Sequence, residues 1–126
     1  MVEAVFLKVY SQPMIEIISR RISEEEMRSF LGKPFSQMIK FVVDLQRGRI
    51  ALGGELHADA ETLLLQEGSK QSDLWGGNYY PSKPPDERIE YTAMINIRTW
   101  ANNPSMEIQD QNIRSQIRGM VERLLP

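Results

Sequence analysis

The sequence predicts an α+β domain: an antiparallel or mixed sheet of about five strands with three helices packed mainly on one face, in the order β-α-β-β-α-β-β-α. Short runs of β-branched or alternating residues recur along the chain, and a glycine turn joins two of them as a hairpin. Three other stretches carry apolar residues at helical spacing behind recognisable caps. At 126 residues the chain has the length of one domain. Residues 14–126 are expected to form it, with Met14 a candidate initiator and residues 1–13 a loosely ordered N-terminal extension.

The first strand is Met14-Ile15-Glu16-Ile17-Ile18, which stops at the basic pair Arg20-Arg21. Ser23-Glu24-Glu25-Glu26 is a capping box, since the Ser23 hydroxyl can accept from the Glu26 amide while the Glu26 carboxylate reaches back. The short helix behind it turns Ile22, Met27, Phe30 and Leu31 inward and ends at Gly32 and Pro34. From Met38 to Leu45, Ile39, Phe41, Val43 and Leu45 share one face, so this is a central strand. Gln46-Arg47-Gly48-Arg49 places glycine where a hairpin turn wants positive φ, and Ile50-Ala51-Leu52 continues as the partner.

Gly53-Gly54 breaks that strand, and Leu56 to Gln66 carries Leu56, Ala60, Leu63 and Leu64 at helical spacing before Gly68. Asp73 to Tyr80 reads as an edge strand loosened by Gly76-Gly77, followed by the stiff Pro81-Ser82-Lys83-Pro84-Pro85 arm. Arg88 to Arg98 alternates strictly, with Ile89, Tyr91, Ala93, Ile95 and Ile97 inward, and predicts a half-exposed antiparallel strand. Asp110 caps a last helix whose Ile113, Ile117, Met120, Val121 and Leu124 form one apolar stripe.

Composition narrows the classes of function. The formal net charge of −2 creates no whole-molecule field for nucleic acid or an anionic membrane, so either partner would need a local patch. The absence of cysteine excludes disulfides and thiolate chemistry and is compatible with a reducing compartment, so the cytoplasm is the expected location. Met1 to Tyr10 lacks the basic and apolar regions of a signal peptide, and no stretch approaches the ~18 apolar residues of a membrane span.

Three groups of residues are candidates for chemistry. Around the double glycine, extended backbone would point Glu55, His57 and Asp59 to one side, a carboxylate, imidazole and carboxylate for a divalent ion or for acid/base work, with Asp44 as a further oxygen. The competing reading is acids that favour the positive end of a helix dipole, in a chain whose single histidine is few for a transition-metal site. In Asp73 to Pro81, Trp75, Asn78 and Tyr79 offer a ligand or partner platform, or else Trp75 and Tyr79 face the core across a glycine bulge. Arg98, Arg114 and Arg118 offer a small-anion or nucleotide site, or else pair with Glu107 and Glu122 on a solvated face. No Walker loop, nucleophile elbow or zinc finger is present in the sequence.

Val42-Val43-Asp44, Gly53-Gly54-Glu55-Leu56-His57-Ala58-Asp59-Ala60-Glu61, Asp73-Leu74-Trp75-Gly76, Ile95-Asn96-Ile97-Arg98 and Ser105-Met106-Glu107 together resemble a small prokaryotic protein family known only as a domain of unknown function. The resemblance runs from about Met14 to Leu125 and implies short, stand-alone cytoplasmic proteins with no assigned activity, cofactor or catalytic residues. An aromatic, glycine-loosened edge on a domain with no recognisable catalytic constellation makes the functional expectation a non-catalytic binding or interaction domain, a homodimer that uses the exposed Trp75 to Tyr80 strand and the Pro81 to Pro85 arm. A metal-dependent or hydrolase-like enzyme centred on Glu55, His57 and Asp59 is the alternative, and an anion binder the third.

Overall fold

The computed structural model describes residues 14–32 and 34–126, so the extension expected at residues 1–13 lies outside the described residues. The order of elements is β1 (Ile15–Ile18), α1 (Glu24–Arg28), β2 (Ile39–Asp44), β3 (Arg49–Gly53), α2 (His57–Gln66), β4 (Leu74–Tyr79), β5 (Ile89–Glu90) and α3 (Gln111–Leu124). The strands form one five-stranded antiparallel sheet in the order β1-β3-β2-β4-β5. The α+β class is borne out.

Local chemistry explains the elements that form as expected. Ser23 and Glu26 make the reciprocal capping box of α1, each bond 3.0 Å. Asp110 caps α3 by accepting from the amides of Asn112 and Ile113. In the β2–β3 hairpin Gly48 takes a φ of 64° and donates its amide to the Asp44 carbonyl at 2.9 Å. The Asp44 carboxylate, fully buried, accepts from the Gln46 and Arg47 amides and from the Ser69 hydroxyl, with Arg49 at 3.8 Å. That network ties the hairpin to the segment following α2.

The sheet is covered on both sides. Ile39, Phe41 and Val43 of β2, Ile50 and Leu52 of β3, and Trp75 and Tyr79 of β4 face α1 and the apolar stripe of α3. The opposite face carries Val42, Ala51 and Leu74 and packs on Ala60 and Leu64 of α2. Two helices thus share the expected face, while α2 crosses to the other. The pattern of β2 already contained the reason: Val42, between Phe41 and Val43, is as fully buried as they are, and a strand buried on both sides needs a cover on each.

Two strand expectations are corrected. Asp73 to Tyr80 is not an edge, because β4 pairs with β2 from Leu74 to Tyr79 and with β5 at Asn78 and Tyr79. Its glycines serve close approach rather than looseness. A Cβ on Gly77 would lie 2.5 Å from Phe41 Cζ on one face, and one on Gly76 would lie 2.7 Å from Ala93 Cβ on the other. Arg88 to Arg98 is strand only over Ile89–Glu90, after which the chain makes an isolated bridge at Thr92 and 3₁₀ turns at Met94–Asn96 and Thr99–Ala101.

The Asn96 side chain is the reason the strand does not continue. It accepts from the Gly76 amide at 2.9 Å and donates to the Gly76 carbonyl at 2.9 Å and the Met106 carbonyl at 3.1 Å. A side-chain amide therefore takes the place of a neighbouring strand's peptide beside β4, and Asn96 and Arg98, expected outward, are buried.

Candidate functional site

The α2 face of the sheet does not close completely. Where β4 passes beneath the first turn of α2, a hollow of about 460 Å³ opens between that turn and the segment from Thr92 to Ile95. This volume lies within the range of small-molecule sites. Its lining is mostly apolar, and the side chains of Leu56, Met94 and Met106 at its rim are 59%, 73% and 42% exposed. Its polar members are Lys40, His57, Asn78 and Thr92.

Register places the polar groups. Lys40 of β2, Asn78 of β4 and Glu90 of β5 pair directly across the sheet and form a lateral row. Asn78 donates its Nδ2 to the Glu90 carboxylate at 2.7 Å, which orients the amide. Its Oδ1 is then a buried acceptor with no hydrogen-bond donor among the described residues, on a side chain only 7% exposed. Lys40 makes no ion pair among the described residues, and its ammonium sits 5.4 Å from the Phe35 ring.

His57 opens α2, behind Leu56 at the N-cap, whose apolar side chain caps nothing. Its Nε2 lies 2.8 Å from the Gly77 carbonyl oxygen. A carbonyl only accepts, so Nε2 carries the proton and Nδ1 is left with a bare lone pair. Burial lowers the pKa of His57, and the Lys40 charge pulls it the same way. The Gly77 carbonyl, the Asn78 side chain and the Glu90 charge oppose the shift. The ring is therefore neutral near pH 7, when it can accept a hydrogen bond at Nδ1. The partner of Nε2 is a peptide carbonyl rather than the carboxylate that stabilises an imidazolium in hydrolytic triads.

This protonation behaviour sets a pH dependence. The unfolded chain takes up a proton on His57 near pH 6.5, whereas the folded site resists it to a lower pH. Between those two values the unfolded state binds more protons, so the His57 contribution is whole above about pH 6.5 and is lost as pH falls toward the folded value. Thermal midpoints of the wild type and of His57→Gln, compared at about pH 7.5 and about pH 5.5, should show the wild type losing more than the variant on acidification. Equal losses would contradict the assigned burial.

The expected carboxylate, imidazole and carboxylate set does not assemble. Glu55 and Asp59 are exposed while His57 turns inward, and among the described residues no group of three histidine, aspartate or glutamate side chains could hold a metal ion. The physical reason is the helix: its first turn begins at His57, so the residues do not alternate as on a strand. Asp44 is committed to its hairpin network.

Trp75 and Tyr79 belong to the core, at 4% and 3% exposure, and only Asn78 of that trio reaches the pocket. Nor do the arginines gather. Buried Arg98 donates to the carbonyls of Ile95 and Leu74 and stacks 4.4 Å over Trp75, Arg114 donates to the Ile108 carbonyl, and Arg118 pairs with Glu122 at 3.4 Å. Sequence reasoning passed over Lys40 and the Thr92 to Ile95 wall. A lysine between Ile39 and Phe41 in β2 was the available signal.

The fold and this hollow define a small α+β protein with a ligand-sized pocket on the single-helix face of its sheet. The chain belongs to the family described as Protein of unknown function (DUF5674), whose family model matches residues 16–124. The resemblance seen in the sequence is borne out over nearly its whole span. No curated protein and no solved structure matches the chain. Among the described residues, no helix is long and apolar enough to cross a membrane.

Proposed function

We propose that this protein is a non-catalytic binding domain for a small ligand with an apolar body and a polar head, held in the pocket between α2 and the Thr92 to Ile95 segment. The observation that carries this reading is the Asn78 Oδ1, a buried acceptor without a donor in the lining of a mostly apolar hollow. A stranded buried acceptor costs about 1–3 kcal/mol, and a ligand that donates to it recovers much of that cost. Exposed Leu56, Met94 and Met106 at the rim supply the apolar contact. Pairing through β4 has no part in this reading, because β2 and β5 occupy both its sides.

The probe for a test is anilinonaphthalene sulfonate, an apolar ring system with one anionic group. In isotope-labelled protein it should shift the amides of Leu56 to Ala58, Asn78 and Thr92 to Ile95 and saturate, and the rim variant Met94→Glu/Met106→Glu should abolish the effect without unfolding the chain. Absence of saturable binding, or shifts centred elsewhere, would remove the proposal.

A further inference from the structure

The pocket's polar groups are not interchangeable, and their arrangement specifies a ligand class. The lining offers two unmet acceptors, Asn78 Oδ1, which has no donor, and His57 Nδ1, which has no proton; outside the lining, the exposed Glu90 carboxylate accepts from Asn78 Nδ2. Each of these favours a donor, and Glu90 favours a positively charged one.

The remaining groups favour an anion. Lys40 lines the pocket without an ion pair among the described residues, and the first turn of the ten-residue helix α2 lines it through Leu56, His57 and Ala58. No side chain caps that turn: the Asp59 amide bonds the Leu56 carbonyl at 3.1 Å, and the positive end of the dipole meets no side-chain acceptor at the N-cap. A helix start would be weak evidence alone. Here it accompanies a stranded acceptor on a side chain 7% exposed in the same lining.

Resting on the pocket reading above, we infer that the ligand is a small zwitterion of the α-amino acid type with an apolar side chain. Its ammonium meets Asn78 Oδ1, His57 Nδ1 and the field of Glu90. Its carboxylate meets Lys40 and the start of α2, and its side chain lies against Met94 and Met106. The two charges of such a ligand match the lateral order of the sheet row, cation on β2 and anion on β5. A neutral His57 is required, since an imidazolium would repel the ammonium.

The experiment compares three probes of one carbon skeleton by amide-shift titration of the full chain: L-leucine, isocaproate, which lacks the amine, and isoamylamine, which lacks the carboxylate. Leucine should perturb His57, Asn78 and Ala93 and bind at least about tenfold tighter than either analogue, the loss expected from one charge-assisted hydrogen bond. Lys40→Met, at a partly exposed position, should erase the advantage of leucine over isoamylamine. Asn78→Leu should erase its advantage over isocaproate.

If leucine binds no better than both analogues, or binds elsewhere, while anilinonaphthalene sulfonate still occupies the pocket, the zwitterion assignment falls and the pocket reading stands. If none of the four probes reaches the pocket, both fall.

Discussion

Replacing Asn96 with alanine should destabilise the protein by about 3–4 kcal/mol, because it strands the outward peptide groups of Gly76 in a buried place, at about 1–3 kcal/mol each. The side chain is fully buried and makes three bonds of 2.9, 2.9 and 3.1 Å, two of them to Gly76. Asn96→Asp is the sharper variant. It keeps the shape but turns a carboxylate oxygen toward the carbonyls of Gly76 and Met106, where only a donor fits. A buried charge facing acceptors should cost at least as much as the truncation. Urea unfolding at neutral pH measures both, and an Asn96→Asp protein within about 1 kcal/mol of wild type would refute the role assigned to this amide. Because Asn96 ends the 3₁₀ turn Met94–Asn96, whose first two residues line the pocket, any Asn96 variant that still folds should also lose probe binding.

The second large effect concerns Phe41. Its ring is fully buried at the centre of the sheet's two-helix face, and Phe41→Ala should cost about 3–5 kcal/mol through lost burial and an unfilled cavity. The glycine opposite is coupled to it. A Cβ on Gly77 would lie 2.5 Å from Phe41 Cζ and 2.8 Å from the Glu90 carbonyl oxygen, so Gly77→Ala alone should cost about 1–3 kcal/mol. In the double variant the vacated ring space accepts the new methyl, and the combined loss should be smaller than the sum. Some cost remains, since the Glu90 oxygen is backbone and cannot turn aside as a side chain can. Strict additivity in a double-mutant cycle would show that Phe41 and Gly77 do not share this space.

Much of the fold was readable because its signals are local. The capping box at Ser23 and Glu26, the Asp110 cap, the Gly48 turn and the α3 stripe each depend on residues within a few positions of one another. The errors have a common physical origin. Strict alternation from Arg88 to Arg98 reports which residues favour an apolar side, but a strand also needs a neighbour for its peptide groups, and Asn96 supplied one to Gly76 from its side chain instead. Gly76-Gly77 read as looseness because a glycine pair alone cannot distinguish a loosened edge from tight packing on both faces.

The candidate site was half legible. His57 and Asn78 were singled out, yet with the wrong companions: Glu55 and Asp59 are exposed and Trp75 and Tyr79 lie in the core. Lys40 and Glu90 stand beside Asn78 only because β2, β4 and β5 are adjacent in one register.

By itself, the sequence determined the fold class, the main helices and the β2–β3 hairpin, since caps, turns and apolar periodicity act over a few residues. Only the tertiary structure decided which face α2 covers, that β4 is interior, and that His57 and Asn78, from two different candidate clusters, line one hollow. Those depend on strand order and register, which are settled by how two buried faces are filled at once.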